Sequence, residues 1–319
     1  PDFTYNDDSF YFLDYIHYEY DDLHFYFVRN TQAKWLSYNC SFRQTDKVPE
    51  IWDPVTGKIF PVPVYDQNND YITIPAAFAP YGSFFFVFRD GIPDKHFTGI
   101  SDKDSLPPAI SFGREGFSIL DNGIFLLSSE DGDLTVSNRV KVQVVNGAWE
   151  LFFPEGQDTP RRIILPELIS WTDSDIPSVR YFSGIVRYVK TFHYDVNSVS
   201  GQGYSIFLDL GDLSKIAKVN LNGKDLGTTW TFPFRFNVTE ILKNGDNVLT
   251  VEVANTWSNR LTGDAITGQK YTNTNISTTI IPGLDKIYIP WKEVPLIPSG
   301  LFGPVSLMTI PRISIEDLP

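Results

Sequence analysis

The sequence contains very little sulfur, with one cysteine, Cys40, and one methionine among 319 residues. A single cysteine cannot form a disulfide within the chain, and it cannot supply a cysteine-based zinc cluster. Cys40 lies in the alternating, strand-like run from Trp35 to Phe42. We therefore expect a thiol packed in a core rather than a catalytic nucleophile.

Long apolar runs and an excess of basic charge are also missing. No stretch reaches the roughly 18 consecutive apolar residues that indicate a membrane-spanning helix. The chain has 26 Lys and Arg against 39 Asp and Glu, a formal net charge of -13. Nucleic acids and anionic membranes bind concentrated basic faces, so neither is an expected partner. A neutral glycan is compatible with this charge.

Motifs of several enzyme classes are absent as well. The sequence has no Gly-x-Ser-x-Gly elbow, phosphate loop, His-Glu-x-x-His motif or dinucleotide fingerprint. Glycoside hydrolysis uses a pair of carboxyl groups, but no spacing distinguishes such a pair. Four glutamates lie near aromatic residues, and we expect them to be solvated at strand edges: Glu50, Glu115, Glu150 and Glu167. No catalytic residue is assigned.

Aromatic residues, in contrast, are abundant, with 25 Phe, 16 Tyr and 7 Trp. Such residues favour half-buried strands. Short alternating stretches bounded by Gly, Pro, Asn and Asp recur along the chain, whereas sustained helical periodicity is almost absent. The length suits two domains of about 150 residues each. We predict an all-β protein built from sandwiches or jelly rolls.

Several strands can be placed in the first half. Residues 24–29 and 35–42 are predicted strands, joined by a hairpin across 30–34. Residues 82–88 contain too many consecutive aromatics for a half-exposed strand, so we predict a central strand buried on both faces. The pattern then lapses from residue 89 to about residue 113, which is typical of a linker.

The second half is more regular. Asn222-Gly223, between two alternating flanks, predicts a hairpin turn. Residues 234–238 and 247–255 are predicted to complete a meander with that hairpin. The segment 262–291 is long and polar, and loops of such length are usually functional or packed against a partner domain.

These residues also carry a resemblance. The second half resembles the galactose-binding-type jelly roll attached to many glycoside hydrolases, through residues 181–184, 187–192, 220–227, 233–234, 237–239 and 242–253. Two further segments, 255–264 and 296–305, resemble the C-terminal end of bacterial α-L-rhamnosidase-type enzymes. The first half resembles the β-sandwich that follows the barrel in those enzymes, through residues 15–17, 25–30, 42–43, 49–54 and 56–57.

The resemblance implies two β-sandwich or jelly-roll domains, the second of them galactose-binding-like. The expected division is 1–100 for the first sandwich, 101–146 for a linker or additional strands, and 147–319 for the jelly roll. In the family, a barrel that holds the catalytic carboxylates would precede Pro1, so we expect this chain to be a piece of a longer, bacterial, secreted protein. Its expected location is periplasmic or extracellular.

Three functions are compatible with this reading. The first is a non-catalytic C-terminal portion of an α-L-rhamnosidase-like glycoside hydrolase that supports the missing catalytic barrel and contributes to binding a plant or bacterial glycan. The second is a self-standing carbohydrate-binding protein. The third is a structural interaction module, for which a large apolar patch would be expected.

Sugar rings stack on aromatic planes, and their hydroxyls pair with polar side chains such as Asn and Arg. The candidate sugar contacts are Trp257, Asn259 and Arg260, which we place on a loop after a strand, together with Trp230, Trp291 and His17. Arg260 could instead brace the following loop, Trp257 could cap the core, or the segment could dock against the barrel. No cofactor is required, and a structural calcium ion bound by acidic loops such as 121–123 and 131–133 is an open expectation.

Overall fold

The computed structural model describes residues 1–6, 12–92, 95–102, 107–113, 116–156, 158–196, 203–280, 288–314 and 316. Throughout these ranges the chain is built from short strands whose ladders are antiparallel, with only brief helices. The predicted all-β fold class is therefore confirmed. No helix in the described ranges is long and apolar enough to cross a membrane.

The first nine strands form a sandwich. A five-stranded sheet with the order β2-β3-β9-β5-β6 packs on a four-stranded sheet with the order β1-β4-β8-β7. The strands are β1 (Phe3–Tyr5), β2 (Leu13–Tyr20), β3 (Leu23–Asn30), β4 (Leu36–Phe42), β5 (Val48–Trp52), β6 (Ile59–Pro61), β7 (Asp66–Gln67), β8 (Ile72–Phe78) and β9 (Ser83–Arg89).

The side-chain period of two builds the core of this sandwich. In β4, Leu36, Tyr38, Cys40 and Phe42 are buried while the intervening residues are half-buried. Burial raises the pKa of the Cys40 thiol well above its usual range, which fits the packed core thiol expected from the sequence. Strand β9 lies between β3 and β5, so its predicted central position is also confirmed.

The hairpin predicted across residues 30–34 is wrong. β3 pairs with β2 and β9, whereas β4 pairs with β1 and β8 in the opposite sheet. The buried Asn30 explains the crossing, because its amide donates to the carbonyls of Lys34 and Ala79 and accepts from the backbone of Gln32. These bonds hold the chain as it passes from one sheet to the other.

The middle of the chain forms five short strands and a small core of its own. Phe97, Phe117, Ile119 and Phe125 pack there with Ile313, which comes from the C-terminal end of the chain. The strands are β10 (Gly99–Ser101), β11 (Ile110–Gly113), β12 (Gly116–Ile119), β13 (Gly123–Ser128) and β14 (Leu134–Asn138). The domain boundaries at about 100 and 146 stay predictions.

The remaining strands form the second sandwich. A six-stranded sheet with the order β17-β16-β18-β24-β21-β22 packs on a four-stranded sheet with the order β15-β28-β19-β23. The elements are β15 (Lys141–Val144), β16 (Trp149–Phe152), β17 (Arg162–Leu165), α1 (Pro177–Arg180), β18 (Ile185–Tyr194), β19 (Tyr204–Asp209), β20 (Asp212–Leu213), β21 (Ile216–Leu221), β22 (Lys224–Thr229), β23 (Arg235–Asn237), β24 (Gly245–Ala254), α2 (Ser258–Thr267), β25 (Thr278–Thr279), β26 (Ile289–Pro290), β27 (Leu301–Gly303) and β28 (Ser306–Pro311), with 3-10 turns at Trp171–Asp173 and Trp291–Glu293.

The turn at Asn222-Gly223 joins β21 to β22 as predicted. The predicted meander is wrong in one strand, because β23 pairs with β19 in the opposite sheet while β24 returns to β21. Burial of Phe234 and Val238 inside the sandwich accounts for this crossing. The Phe234 carbonyl accepts from the backbone of Leu210, and Val238 donates to Ile206.

One buried hydroxyl ties the end of the second sandwich together. The Tyr188 hydroxyl accepts hydrogen bonds from Trp171 Nε1 at 2.5 Å and from the backbone of Leu301 at 3.1 Å. Gly300 fits against this pair only because it lacks a Cβ, which would lie 2.7 Å from the hydroxyl. The contact joins strand β18, the turn at residues 171–173 and the start of β27.

Tyr188→Phe should lower the free energy of unfolding by about 2 kcal/mol or more, because it leaves two buried donors without an acceptor. Tyr194→Phe is the matched control on the same strand, since the buried Tyr194 hydroxyl has no hydrogen-bond partner in the described part of the chain. That control should be neutral or stabilising. Urea denaturation of both variants checks this, and equal destabilisation would contradict it.

Candidate functional site

The segment after β24 is a helix, which corrects the loop expected from the sequence. Helix α2 follows the N-cap residue Trp257 and ends at Thr267, and the next residue, Gly268, is a left-handed C-cap with a φ of 74°. Glycine one position past the last helical residue is a recognised stop signal, so Gly268 could have indicated the helix. The first turn of α2 carries Asn259 and Arg260, and both side chains are buried.

Asn259 is engaged entirely within the protein. Its Nδ2 donates to the Ile297 carbonyl at 2.7 Å and to Ser299 Oγ at 3.0 Å, and its Oδ1 accepts from Ile297 N at 2.8 Å. Asn255 also donates to Ser299 Oγ. Asn259 therefore positions α2 against the segment 297–299, and its predicted sugar contact stays a prediction.

Arg260 is buried, with 3% of its surface exposed. Its guanidinium carbon lies 4.5 Å from the centre of the Tyr271 ring, at cation–π distance. Its Nε and Nη2 are buried and have no hydrogen-bond acceptor among the described residues. A buried donor left without an acceptor costs about 1–3 kcal/mol, so the arrangement requires a reason.

Asp264, one helical turn after Arg260, holds the chain that covers the guanidinium. Its Oδ2 accepts from the backbone of Tyr271 at 3.1 Å and of Thr272 at 2.9 Å, and from the Thr272 hydroxyl at 2.7 Å. Its Oδ1 is buried without a donor in the described ranges. Burial lowers the pKa of Arg260, while the charges of Asp264 and Asp158 act in the opposite direction.

These groups surround a cavity of about 260 Å³, which we call the Arg260 cavity. Gly263 allows the Tyr181 ring to approach α2, because a Cβ there would lie 2.5 Å from Tyr181 Cβ. On the other side the Tyr271 hydroxyl contacts Asp158, and this hydrogen bond raises the pKa of Tyr271. The lining residues are Asp158, Pro177, Ser178, Tyr181, Arg260, Gly263, Thr267, Gln269 and Tyr271.

The three candidate tryptophans lie outside the lining of this cavity. Trp257 and Trp230 are exposed over 58% and 53% of their surfaces, so Trp257 does not cap the core. Trp291 begins a 3-10 turn, and its Nε1 donates to the Ile276 carbonyl. The structure thus does not bring these residues and Arg260 into one cavity, and their contact with sugar stays a prediction.

His17 lies in the first sandwich, on β2. Its ring stacks on Tyr26 with centroids 4.0 Å apart, and its Nε2 lies 3.3 Å from Nδ1 of His24. Its Nδ1 is 3.7 Å from Asp2. These contacts are within the protein, and the predicted sugar contact of His17 is not tested by them.

The glutamates that the sequence analysis named lie apart from one another in the fold. The solvated strand-edge position expected for Glu50 is wrong: Glu50 is 7% exposed on the internal strand β5, where it contacts Arg89 and accepts from Trp52 Nε1. Glu150 is half-buried and pairs with Arg162, and Glu167 is exposed. Glu115 lies outside the described residues. Within the described ranges, no three His, Cys, Asp or Glu side chains converge as metal ligands would. The structural calcium ion remains a prediction.

A second feature that the sequence did not single out is the outer side of the five-stranded sheet. One register row crosses all five strands with apolar side chains, in the order Ile16, Phe27, Phe85, Trp52 and Ile59. The neighbouring row begins with Tyr18 and Phe25, and Tyr20 lies two residues further along β2. We call these eight residues the outer aromatic face.

Much of this face is open. Tyr20 is 70% exposed, Tyr18 67%, Ile16 53% and Ile59 49%, while the phenylalanines and Trp52 are half-buried. The exposed residues belong to the two edge strands of the sheet, three of them to β2 and Ile59 to β6. The side chains of β2 alternate between the two faces of the sheet. Which residues of β3 lie beside them depends on the register of the two strands, and the sequence alone does not give that register.

Comparison with known proteins agrees with this architecture. Residues 184–282 match the family model of the glycosyl hydrolase 2 galactose-binding domain-like type. A solved rhamnosidase from Novosphingobium sp. PP1Y is similar over 97% of this chain and 25% of that chain, with 29% identity and a TM-score of 0.71. A Formosa agariphila protein described as "Putative beta-glucuronidase" is 34% identical over 195 residues, 57% of this chain and 17% of the relative.

The chain is thus a β-sandwich protein of the kind associated with glycoside hydrolases. It contains a galactose-binding-like domain, and its resemblance to a glycoside hydrolase-associated β-sandwich, of which the rhamnosidase carries an example, is confirmed. It spans a quarter or less of the length of either relative.

Asn259→Ala should lower the free energy of unfolding by about 1–2 kcal/mol, because it leaves the Ile297 N–H without its acceptor and removes one of the two donors to the Ile297 carbonyl, the other being the Ser299 hydroxyl. Asn275→Ala is the control, because Asn275 is exposed; it should change the free energy of unfolding by less than about 0.5 kcal/mol. Denaturant melts measure both. Equal effects would show that Asn259 does not hold the 297–299 segment.

Proposed function

We propose that this chain is the accessory, non-catalytic β-region of an α-L-rhamnosidase-like glycoside hydrolase, where it supports the catalytic domain and contributes to carbohydrate binding. The observation that carries the proposal is the match of nearly the whole chain, 97%, to one quarter of a solved rhamnosidase. A region of this kind would act in the periplasm or outside the cell, attached to a catalytic barrel.

The outer aromatic face is evidence that this region packs against the catalytic domain. Isolated exposed apolar residues are common, but a contiguous apolar face across five strands is typical of a surface that another domain covers. In the rhamnosidase the matching region is part of a chain four times as long. The partner we assign to this face is therefore the catalytic domain of the same polypeptide.

The Arg260 cavity supports the carbohydrate role. Its lining combines aromatic rings, one carboxylate and several hydroxyls beside the buried Arg260, which is the mixture of apolar and hydrogen-bonding groups that sugar recognition uses.

A self-standing carbohydrate-binding protein is the second candidate. The exposure of Trp257 and Trp230 favours it, since both rings are open to a ligand. The two candidates assign different uses to the outer aromatic face. A self-standing protein has no use for an exposed apolar face, whereas a region that packs against a catalytic domain uses it as the contact surface.

The 319-residue chain should not hydrolyse aryl α-L-rhamnosides, because the proposed role assigns the catalytic carboxylates to the absent barrel. Release of the aryl group is followed by absorbance at high protein concentration. Hydrolysis that is abolished by one carboxylate substitution within this chain, and not by Asn275→Ala, would refute the non-catalytic role.

The chain alone should bind a hydrophobic fluorescent dye through the outer aromatic face. Tyr18→Ser combined with Tyr20→Ser should reduce dye binding by at least half without lowering the melting temperature, because both rings are exposed. Tyr288→Ser is a control of similar exposure, 68%, elsewhere on the surface. Equal dye binding by all three proteins would argue against a docking face on this sheet.

A further inference from the structure

We propose that the outer side of the six-stranded sheet carries a groove that binds a neutral oligosaccharide, separate from the Arg260 cavity. This inference rests on the proposed carbohydrate role and gives it a further contact surface and a ligand class. The groove has a volume of about 300 Å³, and we call it the sheet groove. Its polar lining residues are Arg187, Lys218, Asn220, Asp225, Thr250 and Glu252.

The antiparallel register brings these side chains together on one side of the sheet. Arg187 of β18 lies opposite Glu252 of β24, which lies opposite Lys218 of β21. The next row on the same side joins Thr250 to Asn220. The residues that alternate with them along each strand are buried in the core. Because neighbouring strands are about 5 Å apart, one ligand can contact several of these groups.

A β-bulge shapes one wall of the groove. Val219 lies opposite Gly227, but the next residue, Asn220, lies opposite Asp225, so β22 has one residue more than β21. The extra residue, Leu226, packs against the core. Gly227, with a φ of 100°, leaves this wall without a side chain, and its N–H donates to Asp225 at 2.9 Å. Bulges commonly redirect side chains beside functional sites.

The most accessible polar groups of the groove are left for a ligand. Arg187 and Glu252 lie opposite each other, yet neither forms an ion pair within the described ranges. The Arg187 guanidinium carbon instead lies 4.6 Å from the centre of the Phe152 ring, which holds it over the sheet. The Thr250 hydroxyl makes no hydrogen bond to a described residue. Arg187 and Glu252 are exposed and Thr250 is half-buried, so a ligand in the groove reaches all three.

The charges of the lining favour a neutral ligand. The lining holds two cations, Arg187 and Lys218. It also holds two anions, Asp225 and Glu252, so its formal charge is 2 − 2 = 0. A polyanion finds no excess of positive charge there, and a metal ion finds no excess of negative charge.

Hydroxyl groups suit the two unpaired charges. Lys218 and Asp225 pair with each other at 3.3 Å, which leaves Arg187 and Glu252 free for hydrogen bonds to the ligand. A sugar hydroxyl accepts from the guanidinium and donates to the carboxylate, whereas an ionised carboxylate can only accept. A carboxylate bound to Arg187 would also lie close to Glu252, since the two residues are on adjacent strands.

An exposed aromatic ring lies at the end of the groove. Lys218 pairs with Thr228, and Trp230 follows two residues later, about 7 Å along the strand. Thr229 between them is buried, so alternation places Trp230 on the outer side. With 53% of its surface exposed, the indole can stack on the apolar face of a sugar ring. Glu252 is two strands away, about 10 Å across the sheet, so a ligand that contacts both is longer than one sugar residue.

The test titrates trisaccharides into the 319-residue chain. The neutral probes are galactotriose, cellotriose, xylotriose and a trisaccharide of rhamnose, and trigalacturonic acid is the charged counterpart of galactotriose. NMR spectra follow the indole N–H signal of Trp230, which is identified by its loss in Trp230→Ala, and calorimetry gives the affinity. At least one neutral probe should shift this signal and bind more tightly than trigalacturonic acid.

Trp230→Ala and Glu252→Gln should each weaken binding at least about tenfold, since one removes the stacking surface and the other removes a charged acceptor. Both side chains are exposed, so thermal melts should be unchanged. Asp246→Asn is the matched control, because Asp246 is exposed on the same side of β24, about 20 Å from Glu252. It should leave the affinity unchanged.

Three results would overturn the inference. Unchanged affinity in Trp230→Ala or in Glu252→Gln would refute the sheet groove and leave the carbohydrate role to another surface, such as the Arg260 cavity. Tighter binding of trigalacturonic acid at Trp230 would refute the neutral ligand class. If no probe binds, both the inference and the carbohydrate role fail, while the supporting role is still judged by the outer aromatic face.

Discussion

The hydroxyl of Tyr188 holds together the part of the molecule on which the candidate site depends. It accepts hydrogen bonds from Trp171 and Leu301 inside a hydrophobic core, where water does not compete. The segment just before Leu301 carries Ser299, which receives hydrogen bonds from Asn255 and Asn259. A core contact on strand β18 thereby fixes the first turn of helix α2.

Helix α2 then sets the environment of Arg260. Its close approach to Tyr181 depends on the absence of a side chain at Gly263, and Asp264 ties the following chain back over the helix. The guanidinium is left buried and stacked on Tyr271, with two donors facing no acceptor of the described residues. A buried charged donor without an acceptor is costly, and this is why the cavity beside Arg260 is our candidate for ligand binding.

The two sandwiches present different surfaces. The first presents an open aromatic sheet face, and the second presents a small polar cavity beside a helix. The proposed docking role of the first surface and the proposed sugar-binding role of the second are compatible with a region that works beside a catalytic domain. Sugar binding at the cavity would then raise the affinity of the whole enzyme for its glycan, because the cavity and the active site of the catalytic domain would be parts of one polypeptide.

The amino-acid sequence predicts an element correctly where a local pattern has one physical outcome. The alternation in β4 placed Cys40 in the core, and Asn222-Gly223 gave the hairpin between β21 and β22. It failed where long-range packing decides. Residues 30–34 and the segment before β23 look like hairpin connections, but burial of Asn30 and Phe234 carries the chain to the opposite sheet.

The candidate site divides in the same way. The sequence by itself determined the all-β class, the family resemblance and the presence of Trp257, Asn259 and Arg260 in one short segment. Only the tertiary structure decided that this segment is a helix, that Asn259 braces a neighbouring strand connection and that Arg260 is buried beside two aspartates. Those roles depend on contacts with residues 158, 181, 271 and 297–299, and no local spacing encodes distances between such distant parts of the chain.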